Sequence, residues 1–252
     1  MAIRSYLRDI ISRKGAGYVV LIDPDRLNRT DIIALAKAAE AEDVDALFIG
    51  TSILLSADMD IIVQEIKAVT QKPVILFPGS TIQVSRYADA ILFMSLISGR
   101  NPVYLIDEQV KAAPLIKGMG LEPISTGYML VESGGGVKSA EYMSNTRPIP
   151  RDKNDIAKAT ALAAEYLGME MIYLEAGSGA SCAIPVEMVA AVSSYTSLPL
   201  IVGGGIRSPQ QAADRVKAGA SLIVTGNVLE SSFSPALLGE FADAIHSGKQ
   251  PE

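Results

Sequence analysis

Runs of four to six consecutive apolar residues alternate with amphipathic stretches along nearly the whole chain. A strand buried on both faces is apolar at every position, whereas a helix packed on one side shows apolar residues at three- and four-residue intervals. Residues 18–22, 46–49, 73–77, 90–94, 171–174, 200–202 and 222–224 fit the first pattern and predict strands; the more polar residues 121–127 take the fifth place in the alternation, with residues 128–130 continuing that strand. Residues 3–13 fit the second, with Ile3, Leu7, Ile10 and Ile11 on one face, and predict a leading helix that closes a barrel floor. Further helices are expected over 30–42, with Asn28 or Thr30 as cap, and over 58–70. A short helix follows Pro78-Gly79-Ser80 and ends near residue 87, and another spans 105–117, where Pro114 should kink or interrupt it. The remaining helices cover 152–167, 185–195, the Ala-rich stretch after Ser208-Pro209, and 235–245. Residues 133–151 are polar and contain Gly and Pro, which predicts a lid or binding loop. Strand and helix alternate without a linker, so the pattern predicts one domain over residues 1–252. That domain is an α/β fold, a single (β/α)8 TIM-type barrel modified in the helical excursions after strands 3 to 5.

Composition narrows the setting. The 252 residues match the usual length of one such barrel, about 250. Hydrophobic residues make up 49% and mean hydropathy is +0.28, so subunit contacts or an apolar ligand groove are expected. A formal charge of −6 and the lack of any Lys/Arg run argue against nucleic acid as a partner. Cys182 is the single cysteine, which suits a reducing cytoplasm. No stretch approaches the roughly 18 uninterrupted apolar residues of a spanning helix, and residues 1–6 lack a signal-like apolar core, so membrane contact is at most peripheral.

In a (β/α)8 barrel, chemistry gathers at the carboxyl ends of the strands. The seventh strand stops at Gly203-Gly204-Gly205, ahead of Ile206-Arg207-Ser208-Pro209, and the eighth stops at Thr225-Gly226-Asn227. Glycine leaves backbone N–H groups unshielded, so two neighbouring bends of this kind offer a phosphate several donors at once. Either bend alone reads as a tight turn; their order, strand, glycine, helix, strand, glycine, favours a phosphate grip. Asp23 follows an apolar strand directly, which places a carboxylate at the barrel mouth. With a hydroxyl from Thr51 or Ser52 it supplies the donors that Mg²⁺ accepts when phosphate oxygens and water complete the shell. An Asx turn over Asp23-Pro24-Asp25 is the alternative. Glu175 ends the sixth strand, where a carboxylate can act as base toward a substrate hydroxyl or orient it, and Gly177-Ser178-Gly179 lets a phosphate come close. A helix-capping Glu is the plainer alternative.

Leu21-Ile22-Asp23-Pro24-Asp25, Tyr173-Leu174-Glu175-Ala176-Gly177-Ser178-Gly179, Gly203-Gly204-Gly205-Ile206-Arg207-Ser208 and Thr225-Gly226-Asn227 together resemble the geranylgeranylglyceryl phosphate synthase family. The resemblance runs over essentially the whole length. It implies a prenyltransferase of ether-lipid biosynthesis that joins the chain of geranylgeranyl diphosphate to the hydroxyl of sn-glycerol 1-phosphate, with Mg²⁺ as cofactor. It assigns Asp23 and Ser52 to the metal and Glu175 to the reacting hydroxyl. Glycerol phosphate would be held by residues 173–179, by Gly203, Gly204 and Gly205, and by Gly226 and Asn227. It also implies a cytoplasmic homo-oligomer, dimer or hexamer. Two departures stand out. Arg26 occupies a position where lysine is more usual, and the strand-two turn reads Gly50-Thr51-Ser52 rather than Gly-Gly-Ser, which leaves both hydroxyls as metal candidates. Arg26 is expected to help the diphosphate leave, and Tyr104, Tyr128 and Leu130 to wall a furrow for the prenyl chain, with ordinary packing as the alternative.

Two other functions fit parts of this pattern. A phosphate-binding TIM-barrel isomerase or cyclase would share the glycine bends but wants a second acid or base across the barrel. A barrel that binds a phosphorylated ligand without catalysis would leave Glu175 without a task. His246, the single histidine, reads as a solvated residue at the end of the last helix, and Cys182 lacks a basic partner nearby in sequence. Ser133-Gly134-Gly135-Gly136 reads as lid or loop rather than a dinucleotide-binding fingerprint.

Overall fold

The computed structural model describes residues 2–248; residue 1 and residues 249–252 of the expected domain lie outside the described residues. Parallel strands close a barrel in the order β1-β2-β3-β4-β5-β6-β7-β8. In chain order the elements begin α1 (Ile3–Lys14), β1 (Gly17–Ile22), α2 (Arg29–Ala41), β2 (Ala46–Ile49), α3 (Met59–Lys67) and β3 (Val74–Leu76). A 3₁₀ turn (Thr81–Gln83), β4 (Ala90–Leu96), a π turn (Val103–Asp107), α4 (Glu108–Met119), β5 (Glu122–Leu130), α5 (Ser139–Ser144) and α6 (Asn154–Tyr166) follow. The chain closes with β6 (Met171–Glu175), α7 (Val186–Ser193), β7 (Leu200–Gly203), α8 (Pro209–Lys217), β8 (Leu222–Thr225), α9 (Asn227–Ser232) and α10 (Pro235–His246). The register closes when Val19 pairs with Ala46 on one side and Val224 on the other. No helix among the described residues is long and apolar enough to cross a membrane.

The alternation of side chains across each strand explains the unbroken apolar runs. Val19, Phe48, Ile75, Leu92, Tyr173 and Val224 point into the barrel, while Tyr18, Val20, Leu47, Leu76, Leu174 and Ile223 point out against the helices. Leu7 on α1 joins the inner layer, so the leading helix plugs the barrel floor as its spacing predicts. Polar contacts lock it there. Ile3 N and Arg4 N donate to the Glu122 carboxylate at 2.6 and 3.1 Å, and the Arg4 guanidinium reaches both Glu122 and Glu170.

A second floor lock overturns the expectation for His246. Its imidazole is part-buried rather than solvated, with Nε2 2.8 Å from Asp45 Oδ2 and Nδ1 3.2 Å from Asp43 Oδ2. Lys14 Nζ lies 2.8 Å from Asp45 Oδ1, and Tyr18 N donates to Oδ2 at 2.7 Å. One buried carboxylate thus ties α1, β1 and α10 together. Burial alone would push the Asp45 carboxyl up, but the hydrogen bonds from His246, Lys14 and Tyr18 N–H hold it below the usual carboxylate range.

The excursions differ from expectation at four places. The helix expected to reach residue 87 is a single 3₁₀ turn, because Gln83 is pulled to the β2 loop: its Nε2 donates to Thr51 O at 2.8 Å and its Oε1 accepts from Thr51 N at 3.1 Å. The β3–β4 connection therefore carries no crossover α-helix. α4 runs through Pro114 uninterrupted; Pro114 and Val110, whose carbonyl loses its partner, both lie exposed, where water can replace the missing N–H. The 133–151 segment contains α5 and a bridge between Val131 and Ile149 rather than loop alone. Finally, α9 begins immediately after β8, where only a turn is expected.

Replacing Asp45 with Asn should destabilise the fold by about 3 kcal/mol at neutral pH, since it leaves the Lys14 ammonium without its buried counter-charge and breaks the hydrogen-bond set that joins α1, β1 and α10. Because the Asp45 pKa is depressed on folding, its contribution is present above the unfolded value and is lost as pH falls through the folded one. Urea unfolding should therefore separate wild type from Asp45→Asn at pH 7 and bring them together in strong acid.

Candidate active site

The carboxyl ends of the strands enclose one cavity of about 770 Å³ that is polar at one end and apolar at the other. Glu175 closes β6 and is only 5% exposed, facing this cavity. Burial raises its carboxyl pKa to about 7, with the Gly177 N–H, which donates to Oε1 at 2.5 Å, pulling the other way. The Tyr173 hydroxyl approaches closely enough to stabilise the carboxylate, yet it makes no fully formed hydrogen bond in the fold. Tyr173 stacks on Phe77 with centroids 5.1 Å apart, and Tyr128 meets both rings at 5.4 and 5.9 Å. This aromatic layer is the floor beneath the carboxylate. It excludes water from below and accounts for the burial that shifts Glu175.

The glycine bends assemble around that carboxylate. β7 and β8 are neighbours, with Gly203 paired to Val224. Gly204 and Gly205 have φ of +76° and +71°, and a Cβ at Gly204 would overlap Glu175 Oε1, so only glycine serves there. Gly203 sits behind them, its Cα against the Tyr173 hydroxyl. Gly226 is the residue before α9, which brings Gly226, Asn227 and Val228 to the cavity wall as a helix N-terminus. Asn227 Oδ1 accepts from Gly179 N at 2.8 Å, which joins the β8 bend to the β6 loop. Gly177, Ser178 and Gly179 line the cavity, whereas the side chains of Leu174 and Ala176 pack into the layer between sheet and helices and offer only backbone. The sequence pattern pointed to the start of α8 at Ser208-Pro209, but Ser208 is occupied capping Gln211 N; α9 is the helix that faces the cavity.

Asp23 lies across the mouth, its side chain 12% exposed. Burial raises its pKa, opposed by the Asp25 N–H, by the Thr51 hydroxyl and by Arg26, whose Nε is 3.3 Å away. Thr51 and Ser52 line the same cavity. A half-buried carboxylate that its neighbours leave incompletely compensated, beside two hydroxyls, fits a Mg²⁺ ion that draws its other ligands from phosphate and water. Among the described residues no group of three or more His, Cys, Asp or Glu could hold a metal by itself. Asp25 takes a different part from Asp23: its carboxylate accepts from Leu55 N, Ser56 N, Ser56 Oγ and Ala57 N and so shapes the β2 loop. Arg26 is held between Asp23 and Glu230, at 3.3 and 3.4 Å, and is not part of the cavity wall. Glu230, which also accepts from Asn227 Nδ2, lines the cavity and was not anticipated; its signal was its place three residues after Asn227.

The apolar end follows from the missing crossover helix. Ile91 and Phe93 on the outer face of β4 line the cavity together with Tyr104, Ala112 and Ile116 from the π turn and α4. Ser95 Oγ donates to Leu105 O, and Gln109 Nε2 donates to Met94 O, which fixes the π turn and α4 beside the groove. α5 leans over the mouth through Tyr104 Oη donating to Met143 O and Asn101 Nδ2 to Ser144 O. Tyr104 thus stands where a furrow wall was expected, whereas Tyr128 belongs to the aromatic floor under Glu175, and Leu130 is buried and faces a separate cavity.

A model of the PcrB family matches residues 8–245. The geranylgeranylglyceryl phosphate synthase of Chitinophaga pinensis is 50% identical over 240 residues, covering 94% of each chain. That of Methanosphaera stadtmanae is 44% identical over 247 residues, covering 98% of this chain and all of the relative. Among solved structures, the (S)-3-O-geranylgeranylglyceryl phosphate synthase of Thermoplasma acidophilum, in complex with its substrate sn-glycerol-1-phosphate, is similar with a TM-score of 0.88 and 34% identity over 96% of this chain and 98% of that one.

Between the ordinary carboxyl value of 4.5 and the folded value of about 7, the native chain holds a proton on Glu175 that the unfolded chain has released. Stability should fall as pH rises across that window and Glu175→Gln should flatten the slope. In ¹³C NMR of labelled glutamate carboxyls, one signal should titrate near pH 7 and be missing from Glu175→Gln.

Proposed function

The chain belongs to the PcrB family, and we infer from that membership and from the site that it transfers the prenyl chain of geranylgeranyl diphosphate to the hydroxyl of sn-glycerol 1-phosphate. The observation that carries this reading is the continuity of one cavity, from the glycine bends and Glu175 to the apolar groove along β4 and α4. A small phosphorylated alcohol fits the first end and a hydrocarbon tail the second. The products are geranylgeranylglyceryl phosphate and diphosphate, in the making of ether lipids.

The backbone N–H groups of the β7 and β8 bends and the N-terminus of α9 would bind the glycerol phosphate, leaving its free hydroxyl toward Glu175. The allylic C–O bond of the diphosphate breaks, the hydroxyl oxygen forms the new C–O bond, and Glu175 accepts the hydroxyl proton or orients the group. A carboxyl poised near 7 can take up that proton and release it again at neutral pH. Mg²⁺, when bound, would offset the charge gathering on the departing diphosphate, and Asp23 with Ser52 or Thr51 would hold it. Arg26 would then act through Asp23 and Glu230, which it bridges, rather than by touching the leaving group. The aromatic layer of Phe77, Tyr128 and Tyr173 keeps water from the allylic cation.

An isomerase or cyclase acting on a small phosphorylated metabolite would have no use for the apolar groove, and the curated relatives do not favour it. Exposed Tyr166, Leu167 and Tyr195, from the ends of α6 and α7, support self-association, as a dimer or hexamer.

Glu175→Gln should lower kcat by about 10²- to 10³-fold while leaving KM for glycerol 1-phosphate within about threefold, measured by mass-spectrometric detection of the prenylated product. Full turnover in that variant would remove Glu175 from the proton's path.

A further inference from the structure

A second cavity, of about 330 Å³, lies between the loop after β5 and the loop after β6. Ser133 lines it at 4% exposure, and its Oγ finds no hydrogen-bond partner among the described residues. Buried hydroxyls are almost always paired, so an orphan facing a cavity marks a place for an external ligand atom. The backbone of Ser133 is already committed, its carbonyl accepting from Cys182 N at 3.1 Å, so the hydroxyl is held in place and is not free to swing away with the chain. Gly134, Gly135 and Gly136 follow with φ of +67°, +73° and +87°. At Gly134 and Gly136 a Cβ would meet nothing, so glycine there serves the backbone path and leaves the cavity rim open.

Two cations complete the wall. Lys138 lays its alkyl stem over Gly177, and the exposed Arg147 stands at the cavity rim; neither side chain forms an ion pair among the described residues. The two carboxylates nearby are placed otherwise. Glu141 accepts from Lys138 N at 3.3 Å and closes the first turn of α5, while Glu132 is exposed at the rim. The remaining lining, from Leu130, Val131, Pro148 and Ala176, is apolar and lowers the local dielectric, which strengthens the pull of the cations on a bound anion.

We propose that this cavity is a second binding site, distinct from the prenyl-transfer site, for a free phosphate-type oxyanion held by Ser133 Oγ, Lys138 Nζ and the Arg147 guanidinium. A hydroxyl, an ammonium and a planar guanidinium on the wall of one cavity are donor types that match the acceptor set of a phosphate. The stem of Lys138 lies against Gly177, two residues beyond Glu175, so an anion there bears on the loop that shapes the catalytic carboxylate. The proposal goes beyond the transfer reaction and does not rest on it.

Calorimetric titration with inorganic phosphate, and separately with inorganic diphosphate, tests it on the full-length protein. At least one of the two anions should show a binding event that Lys138→Gln/Arg147→Gln weakens by about tenfold or more, and that Gly226→Ala in the first site, whose added methyl meets only Leu21, leaves within about twofold. Ser133→Val, which keeps both cations, should weaken the same event by about threefold to tenfold. Which anion binds more tightly identifies the natural occupant as phosphate or as the diphosphate leaving group. Binding of neither anion, an isotherm that the double variant leaves unchanged, or an event abolished by Gly226→Ala would overturn the proposal.

Discussion

A parallel sheet is stable in water only if apolar matter covers both of its faces, and in this barrel the outer face of β4 is covered only in part, Ile91 being buried and Phe93 left half-buried at the cavity. A crossover helix between β3 and β4 would ordinarily complete the cover over Phe93; here that connection makes one 3₁₀ turn, because Gln83 is tied to the backbone of Thr51. The surface left open is walled by Ala112 and Ile116 of α4 and becomes the apolar arm of the active-site cavity. On the proposed function, a hydrocarbon chain bound there would take the place of the absent helix, and substrate binding would complete a packing layer.

The polar end follows the same logic in electrostatic form. Glu175 and Asp23 both sit at strand ends where burial raises their pKa, and in both cases the neighbours compensate only in part. The two groups have different remedies. Glu175 can take a proton near neutral pH, while Asp23, beside Thr51 and Ser52, gains most from a cation. Asp25, two residues from Asp23, shows the contrast: four donors from the β2 loop satisfy it, its pKa is lowered, and it serves structure alone. The glycines complete the arrangement by letting backbone N–H groups come within reach of a phosphate, and at Gly204 no side chain fits without displacing the carboxylate.

Legibility in the sequence followed the range of the forces involved. Strands covered on both faces need continuous apolar runs, so β1 through β8 and their order were visible, and β2 was bounded correctly at both ends. Asp23, Glu175 and the glycine bends were visible because each ends such a run. The short elements were not. α5 and α9, six residues each, are too brief to show helical periodicity, and the 3₁₀ turn depends on a side-chain contact between Gln83 and Thr51, 32 residues apart. His246 was misread for a like reason: its partners Asp43 and Asp45 lie about 200 positions away and meet it only when the barrel closes. Leu130 was assigned to the furrow by its nearness to Tyr128, and alternation does put both on one side of β5, but Leu130 is the last residue of the strand and lines the separate cavity under the following loop.

The central claim, that the uncovered flank of β4 is where the prenyl chain lies, meets its most direct test in Ala112→Phe. Steady-state transfer to glycerol 1-phosphate would be measured with a ten-carbon and a twenty-carbon prenyl diphosphate, for wild type and variant. Filling the groove at Ala112 should cut kcat/KM for the longer donor by about tenfold or more and leave the shorter one within about twofold. Equal loss with both donors, or no loss with either, would contradict the account.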